Sequence, residues 1–147
     1  MTSGPANERP GTVGDRLPEL EKQVTAERVE AYAEAAGDFN PIHMDEEFAR
    51  TTQFGRRIGH GMLILAFVSE MMALAFPDGW PSGGRLRARF KAPVYLGETV
   101  TTFGEIVAIR GSEQGPIAEC RVGCRKADGS EAVSARAFVP LAISTGR

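Results

Sequence analysis

The fifteen residues from Met62 to Phe76 are apolar except for Ser69 and Glu70. A membrane span needs about 20 such residues, so this run is too short to be one. A helix that is apolar on nearly every side belongs in the centre of a core. Pro77, Gly79, Pro81 and Gly83-Gly84 end it. Downstream, apolar and polar residues alternate instead. Leu86, Ala88 and Phe90 interleave with Arg85, Arg87, Arg89 and Lys91. Thr99 to Ile109 is rich in β-branched residues, and Ala118, Cys120, Val122 and Cys124 alternate with Glu119, Arg121 and Arg125. Asp128-Gly129 predicts a hairpin turn before Val133, Ala135, Ala137 and Val139. Strands with one apolar face form a sheet covered on one side. The pattern predicts an α+β domain, an antiparallel sheet wrapped around one long helix.

The 147 residues suffice for one domain with a sizeable core. A net charge of -2 argues against a general nucleic-acid binder. Residues 1–10 are polar, without the apolar stretch of a signal peptide, and read as a mobile tail before a domain over 11–147. A reducing cytoplasm is the expected setting. Cys120 and Cys124 share one predicted strand, roughly 13 Å apart, too far to bridge. The basic stripe of Arg85, Arg87, Arg89 and Lys91 reads as a solvated sheet face or, alternatively, as an attractor of phosphate.

Upstream of the apolar run, Thr25 is the predicted N-cap of a helix in which Val29, Tyr32, Ala33 and Ala36 recur at helical spacing. Gly37 ends it. The next residues, Asp38-Phe39-Asn40-Pro41-Ile42-His43, combine turn formers with one acid and one imidazole, the side chains most used to move protons near neutral pH. Pro41 excludes a helical Asn40, so Asp38 and His43 are expected on a bent backbone rather than on a helical face. Asp45 to Arg50 predicts a short helical turn.

Gly61 stands where the buried helix begins, with free N–H groups and the positive end of the dipole. It reads either as an oxyanion-stabilising backbone or as a glycine required by the tight entry. Its neighbour His60 reads as ligand-facing or structural. Ser69, a hydroxyl on an apolar helix, must bond a carbonyl one turn back or serve the site. Asp38, His43, Asp45 and His60 would supply metal donors, but their spacing matches no His-x-x-x-His or Cys-x-x-Cys pattern, and no metal is expected. No Gly-x-Ser-x-Gly turn occurs, and neither cysteine lies near a histidine in sequence.

Tyr32 through Ala49, with Gly37-Asp38-Phe39-Asn40-Pro41-Ile42-His43 as its centre, resembles the hydratase signature of the MaoC-like family, which includes the (R)-specific enoyl-CoA hydratases. Ile58-Gly59-His60-Gly61-Met62-Leu63 resembles the second block of that family. Phe90-Lys91-Ala92-Pro93-Val94, followed by Gly97-Glu98, resembles its later strands. The resemblance covers about Gly11 to Leu141 and implies a hot-dog fold and a homodimer. It implies hydration of a trans-2-enoyl thioester of coenzyme A or acyl-carrier protein to the (R)-3-hydroxyacyl thioester, without a metal or redox cofactor. Asp38 and His43 would hold and activate one water, and the Gly61 N–H would bind the thioester oxygen. Ser69 would support the pair, and Asn40 would brace the loop. Arg57, Gly59 and Glu70 depart from the family pattern. Glu70 is expected at a subunit contact, paired with an arginine, or in the acyl tunnel. A thioesterase on the same fold and a non-catalytic acyl-thioester binder are the competing expectations. No membrane association is expected.

Overall fold

The computed structural model describes residues 9–141. Most of the expected tail, residues 1–8, and the last six residues of the expected domain lie outside the described residues. A short strand β1 (Glu21–Gln23) precedes helix α1 (Ala26–Ala36). Thr25 caps α1 as predicted, its hydroxyl accepting from the Arg28 N–H at 3.1 Å. Gly37 ends α1 at φ +72°, a left-handed conformation that glycine takes at little cost.

Two one-turn helices follow, α2 (Pro41–Met44) and α3 (Glu46–Arg50). The first corrects the bent-backbone expectation: His43 stands on a helical turn. Pro41 occupies its first position, where the missing N–H has no intrahelical partner to lose. Asn40 stays non-helical, as its position before proline requires, and its side chain caps the turn. Asp45 caps α3 by accepting from the Glu47 and Phe48 N–H groups at 3.0 and 3.2 Å.

The apolar run forms α4 (Gly61–Ala75). A five-residue helix α5 (Gly79–Gly83) occupies the stretch expected only to terminate it. The remaining strands are β2 (Arg85–Phe90), β3 (Thr99–Arg110), β4 (Ile117–Lys126) and β5 (Glu131–Pro140). They build one antiparallel sheet in the order β1-β3-β4-β5-β2. This is the predicted α+β hot-dog arrangement.

The register explains the core. Ala118, Cys120, Val122 and Cys124 of β4 and Val133, Ala135, Ala137 and Val139 of β5 face Leu63, Ile64, Phe67, Val68, Met71 and Met72 of α4. Each large apolar side chain fully buried here contributes about 1.5–3 kcal/mol. Both cysteines are free and buried, and burial pushes each thiol up to about 12.

The sheet covers only one flank of α4. On the other, Met62 is 55% and Leu74 59% exposed, because five strands of one chain curl round only part of the helix. Glu70 on that flank pairs with Lys22 of β1 at 2.7 Å, a lysine rather than the expected arginine. On the outer face of the sheet Arg87 lies opposite Arg136, which lies opposite Arg121. Lys91 reaches Glu131 at 3.5 Å. Among the described residues, no helix is long and apolar enough to cross a membrane.

Met71 is fully buried at the contact of α4 with the sheet. Met71→Ala is expected to lower stability by about 2–5 kcal/mol, read from urea unfolding. A loss under about 1 kcal/mol would contradict this packing.

Candidate active site

Four consecutive residues, Ile58 to Gly61, run from a loop into α4 and organise the site. Ile58 forms an isolated bridge with Tyr95, and the Gly59 N–H donates to the Val94 carbonyl at 2.7 Å. The segment is thereby pinned to the chain that leaves β2. The Ile58 carbonyl accepts from Nδ1 of His43 at 2.8 Å. A carbonyl can only accept, so the neutral imidazole carries its proton on Nδ1 and leaves Nε2 with a free lone pair. Arg57 holds the same histidine from behind, its Nε donating to the His43 carbonyl at 2.7 Å.

Asp38 follows the α1 cap. One of its oxygens, Oδ1, accepts from the Asn40 N–H at 3.2 Å, an Asx turn that fixes the carboxylate. Oδ2 has no hydrogen-bond partner among the described residues. Asn40 accepts from the Ile42 N–H at 3.1 Å and so braces the turn that carries His43.

His60, left open by the sequence, is 2% exposed and joins the two halves. Its Nε2 donates to the Asp38 backbone carbonyl at 3.0 Å. Its ring stacks on His43 with centroids 3.9 Å apart and planes 28° apart, and Tyr32 packs at 4.8 Å on a tilt. Donor atoms of Asp38, His43 and His60 all lie within 4.8 Å of one another. That spacing alone fits a metal, but the ring geometry does not. Lone pairs of two stacked imidazoles lie in near-parallel planes and cannot meet at one ion. Asp45, the fourth candidate, is spent on capping α3.

Gly61 opens α4. His60 makes no side-chain cap, and the N–H groups of Gly61 and Met62 have no acceptor among the described residues. They are free to receive a negative oxygen at the positive end of a fifteen-residue helix. A Cβ on Gly61 would stand 3.0 Å from the ring of Phe90, an exposed side chain that would have to give by a few tenths of an ångström. Gly61 lines a cavity of about 280 Å³ with Phe54, Ile58, Ile64, Phe90 and Val133. Its walls are mostly apolar, as a site for a short hydrocarbon chain requires.

The structure therefore brings Asp38, His43 and His60 together, with Asn40 in the turn between the pair and Gly61 the next residue along the chain from His60. Ser69 stands apart from them. It lies eight residues along α4 from Gly61, about 12 Å at 1.5 Å per residue, and accepts from the Trp80 indole N–H at 2.9 Å. Among the described residues no hydrogen bond joins it to Asp38 or His43. Sequence reasoning missed the anchors Ile58, Arg57 and Trp80. Backbone carbonyls carry no sequence signal, and nothing local ties Trp80 to Ser69.

Comparison with known proteins bears directly on this geometry. Residues 9–124 match the family described as MaoC like domain. The chain belongs to that family. It is 37% identical over 122 residues to the (R)-specific enoyl-CoA hydratase of Aeromonas caviae, covering 83% of this chain and 90% of the relative. The solved structure of the (R)-hydratase from A. caviae involved in PHA biosynthesis superimposes with a TM-score of 0.78 at 36% identity, over 89% of this chain and 97% of that one. A mitochondrial 3-hydroxyacyl-[acyl-carrier-protein] dehydratase of Arabidopsis thaliana is 32% identical over 78% of this chain and 67% of the relative. The matched residues include Asp38, Asn40, His43 and Gly61, while Val133 of the cavity wall lies beyond them.

Burial lowers the titration of His43 below its usual 6.5, and His60 and Arg57 add to that, while the Ile58 carbonyl and Asp38 oppose it. The folded state thus prefers the neutral ring. Its contribution to stability is present above pH 6.5 and is lost as pH falls through the lowered value. An NMR titration of the His43 ring is expected to give a midpoint below 6.5. A midpoint above it would contradict the burial of the site.

Proposed function

We propose that this MaoC-like protein is a hydro-lyase that reversibly adds water to a trans-2-enoyl thioester, giving the (R)-3-hydroxyacyl thioester. One observation carries the reading: two side chains with free acceptor atoms, Asp38 Oδ2 and His43 Nε2, stand beside an uncapped helix N-terminus. The names of the relatives from Aeromonas and Arabidopsis support the reaction class.

In this reading one water sits between Asp38 and His43. Its oxygen bonds to C3 of the substrate, and its proton passes to the pair. The C2=C3 electrons move toward the thioester carbonyl, whose oxygen gains enolate character and accepts from the Gly61 N–H. When the enolate collapses, C2 takes up the proton. One water is added in sum, and the reverse path eliminates it. Neutral His43 is ready to accept without prior deprotonation, and fixed donors at the oxygen need no reorganisation as charge develops. The cavity beside Gly61 would hold the acyl chain. Asn40 acts on the pair by bracing α2. Ser69, fixed by Trp80, supports the site at a distance and contributes less than either member of the pair. The handle is coenzyme A or acyl-carrier protein.

The working unit is a homodimer. The bare flank of α4 and the exposed Phe39 and Phe90 support it, as apolar surface that a second copy would cover. β2 is an edge strand with no partner on its outer side among the described residues. The domain spans residues 11–147, and free cysteines at 120 and 124 suit a cytoplasmic setting.

Asp38→Asn and His43→Gln are each expected to lower kcat/KM on crotonyl-CoA by roughly 100-fold or more, with circular dichroism unchanged. Ser69→Ala should lose less. Loss of enoyl absorbance without free thiol separates hydration from a thioesterase. Near-normal turnover by both pair variants would reject the proposal. Sedimentation velocity should report a mass of two chains at micromolar concentration, and a monomer there would reject the dimer.

A further inference from the structure

Nothing in the hydration scheme uses His60, although it is the most buried titratable side chain in the site. We propose that His60 is a positioning residue: its Nε2–H bond to the Asp38 carbonyl and its ring stacked on His43 set the separation of the catalytic pair. The inference rests on the hydration reading and adds a residue to it.

Asp38 sits on an exposed turn between α1 and α2, and among the described residues its side chain makes only the local bond to Asn40. Local bonds fix the shape of the turn. They do not fix its distance from the rest of the protein. The bond that does so runs from His60, 22 residues later in the chain, to the Asp38 carbonyl at 3.0 Å. The same ring touches His43 face to face at 3.9 Å. One side chain thus grips the acid through its backbone and the imidazole through its plane. His60 is itself closely packed, since it is buried, directly precedes α4 and lies against Tyr32.

A packing role alone does not explain an imidazole here. The bond to a carbonyl assigns the proton to Nε2, and Nδ1 is then a bare acceptor. That atom is buried and has no partner among the described residues. An apolar ring would fill the same space without leaving a buried acceptor unpaired, which is costly. What an apolar ring cannot do is donate to Asp38. The groups around the pair are His60, Asp38 and Arg57 on the His43 side and Tyr32 on the far side of His60. None of the others bridges both members.

The test separates the tether from the ring. His60→Phe keeps an aromatic stack and loses the donor, whereas His60→Gln keeps an amide donor and loses the stack. On crotonyl-CoA, His60→Phe is expected to lower kcat about 100-fold with KM within about threefold of wild type, as for a misplaced pair and not a lost binding contact. His60→Gln should recover at least about tenfold of that loss. A kcat for His60→Phe within about threefold of wild type, or a His60→Gln variant no better than His60→Phe, would overturn the proposal. If His60→Phe does not fold, the ring nitrogens of wild type decide by ¹⁵N NMR. A single Nε2-protonated tautomer at His60 supports the tether, and an Nδ1-protonated ring refutes it. The same spectrum keeps the inference testable if wild type hydrates no enoyl thioester, an outcome that would remove the hydration reading without deciding the His60 bond.

Discussion

Burial of α4 against the sheet is the constraint on which the rest depends. Six large side chains of this helix enter the core, and they fix its rotation and its height over β3 and β4. With the helix fixed, its first residue is fixed too. The free N–H groups of Gly61 and Met62 then sit at one defined point, and Gly61 lines the apolar cavity.

From that point the chain runs backwards through the site one residue at a time. His60 reaches Asp38, Gly59 locks onto Val94, and Ile58 orients His43. Gly59 packs closely here, since a Cβ on it would stand 3.0 Å from the buried Val24 side chain. Four consecutive residues thus couple the core helix to a turn that precedes it by some twenty positions. The short helices α2 and α3 are too small to be stable alone, so the turn that carries His43 depends on these ties to the core as well as on its own Asn40 cap.

Much of this was legible in the sequence because it is local. The Thr25 cap, the Gly37 stop and the strand alternation each follow from a few neighbouring residues, and each stands where it was expected. Asp38 and His43 were legible as candidates because so few residue types move protons near neutrality, and the two do lie close together. His43 on a helical turn was not foreseen, since proline was read as a barrier when at the first helical position it is a starter. The contacts that aim the pair were hidden for a different reason. They run from side chains to backbone carbonyls across 15 to 22 residues, and a carbonyl looks the same in every residue. The bare flank of α4 was also hidden: an all-apolar helix predicts burial on every side, whereas Met62 and Leu74 stand exposed.

The central claim is that one water position is shared by Asp38 and His43, next to the Gly61 N–H. A crystal structure with (R)-3-hydroxybutyryl-CoA tests it most directly, since the product hydroxyl marks where the water attacked. The account predicts that hydroxyl within hydrogen-bond reach of both the Asp38 carboxylate and His43 Nε2, with the thioester oxygen on the Gly61 N–H. A hydroxyl bound away from the pair, or a thioester oxygen turned from Gly61, would contradict it.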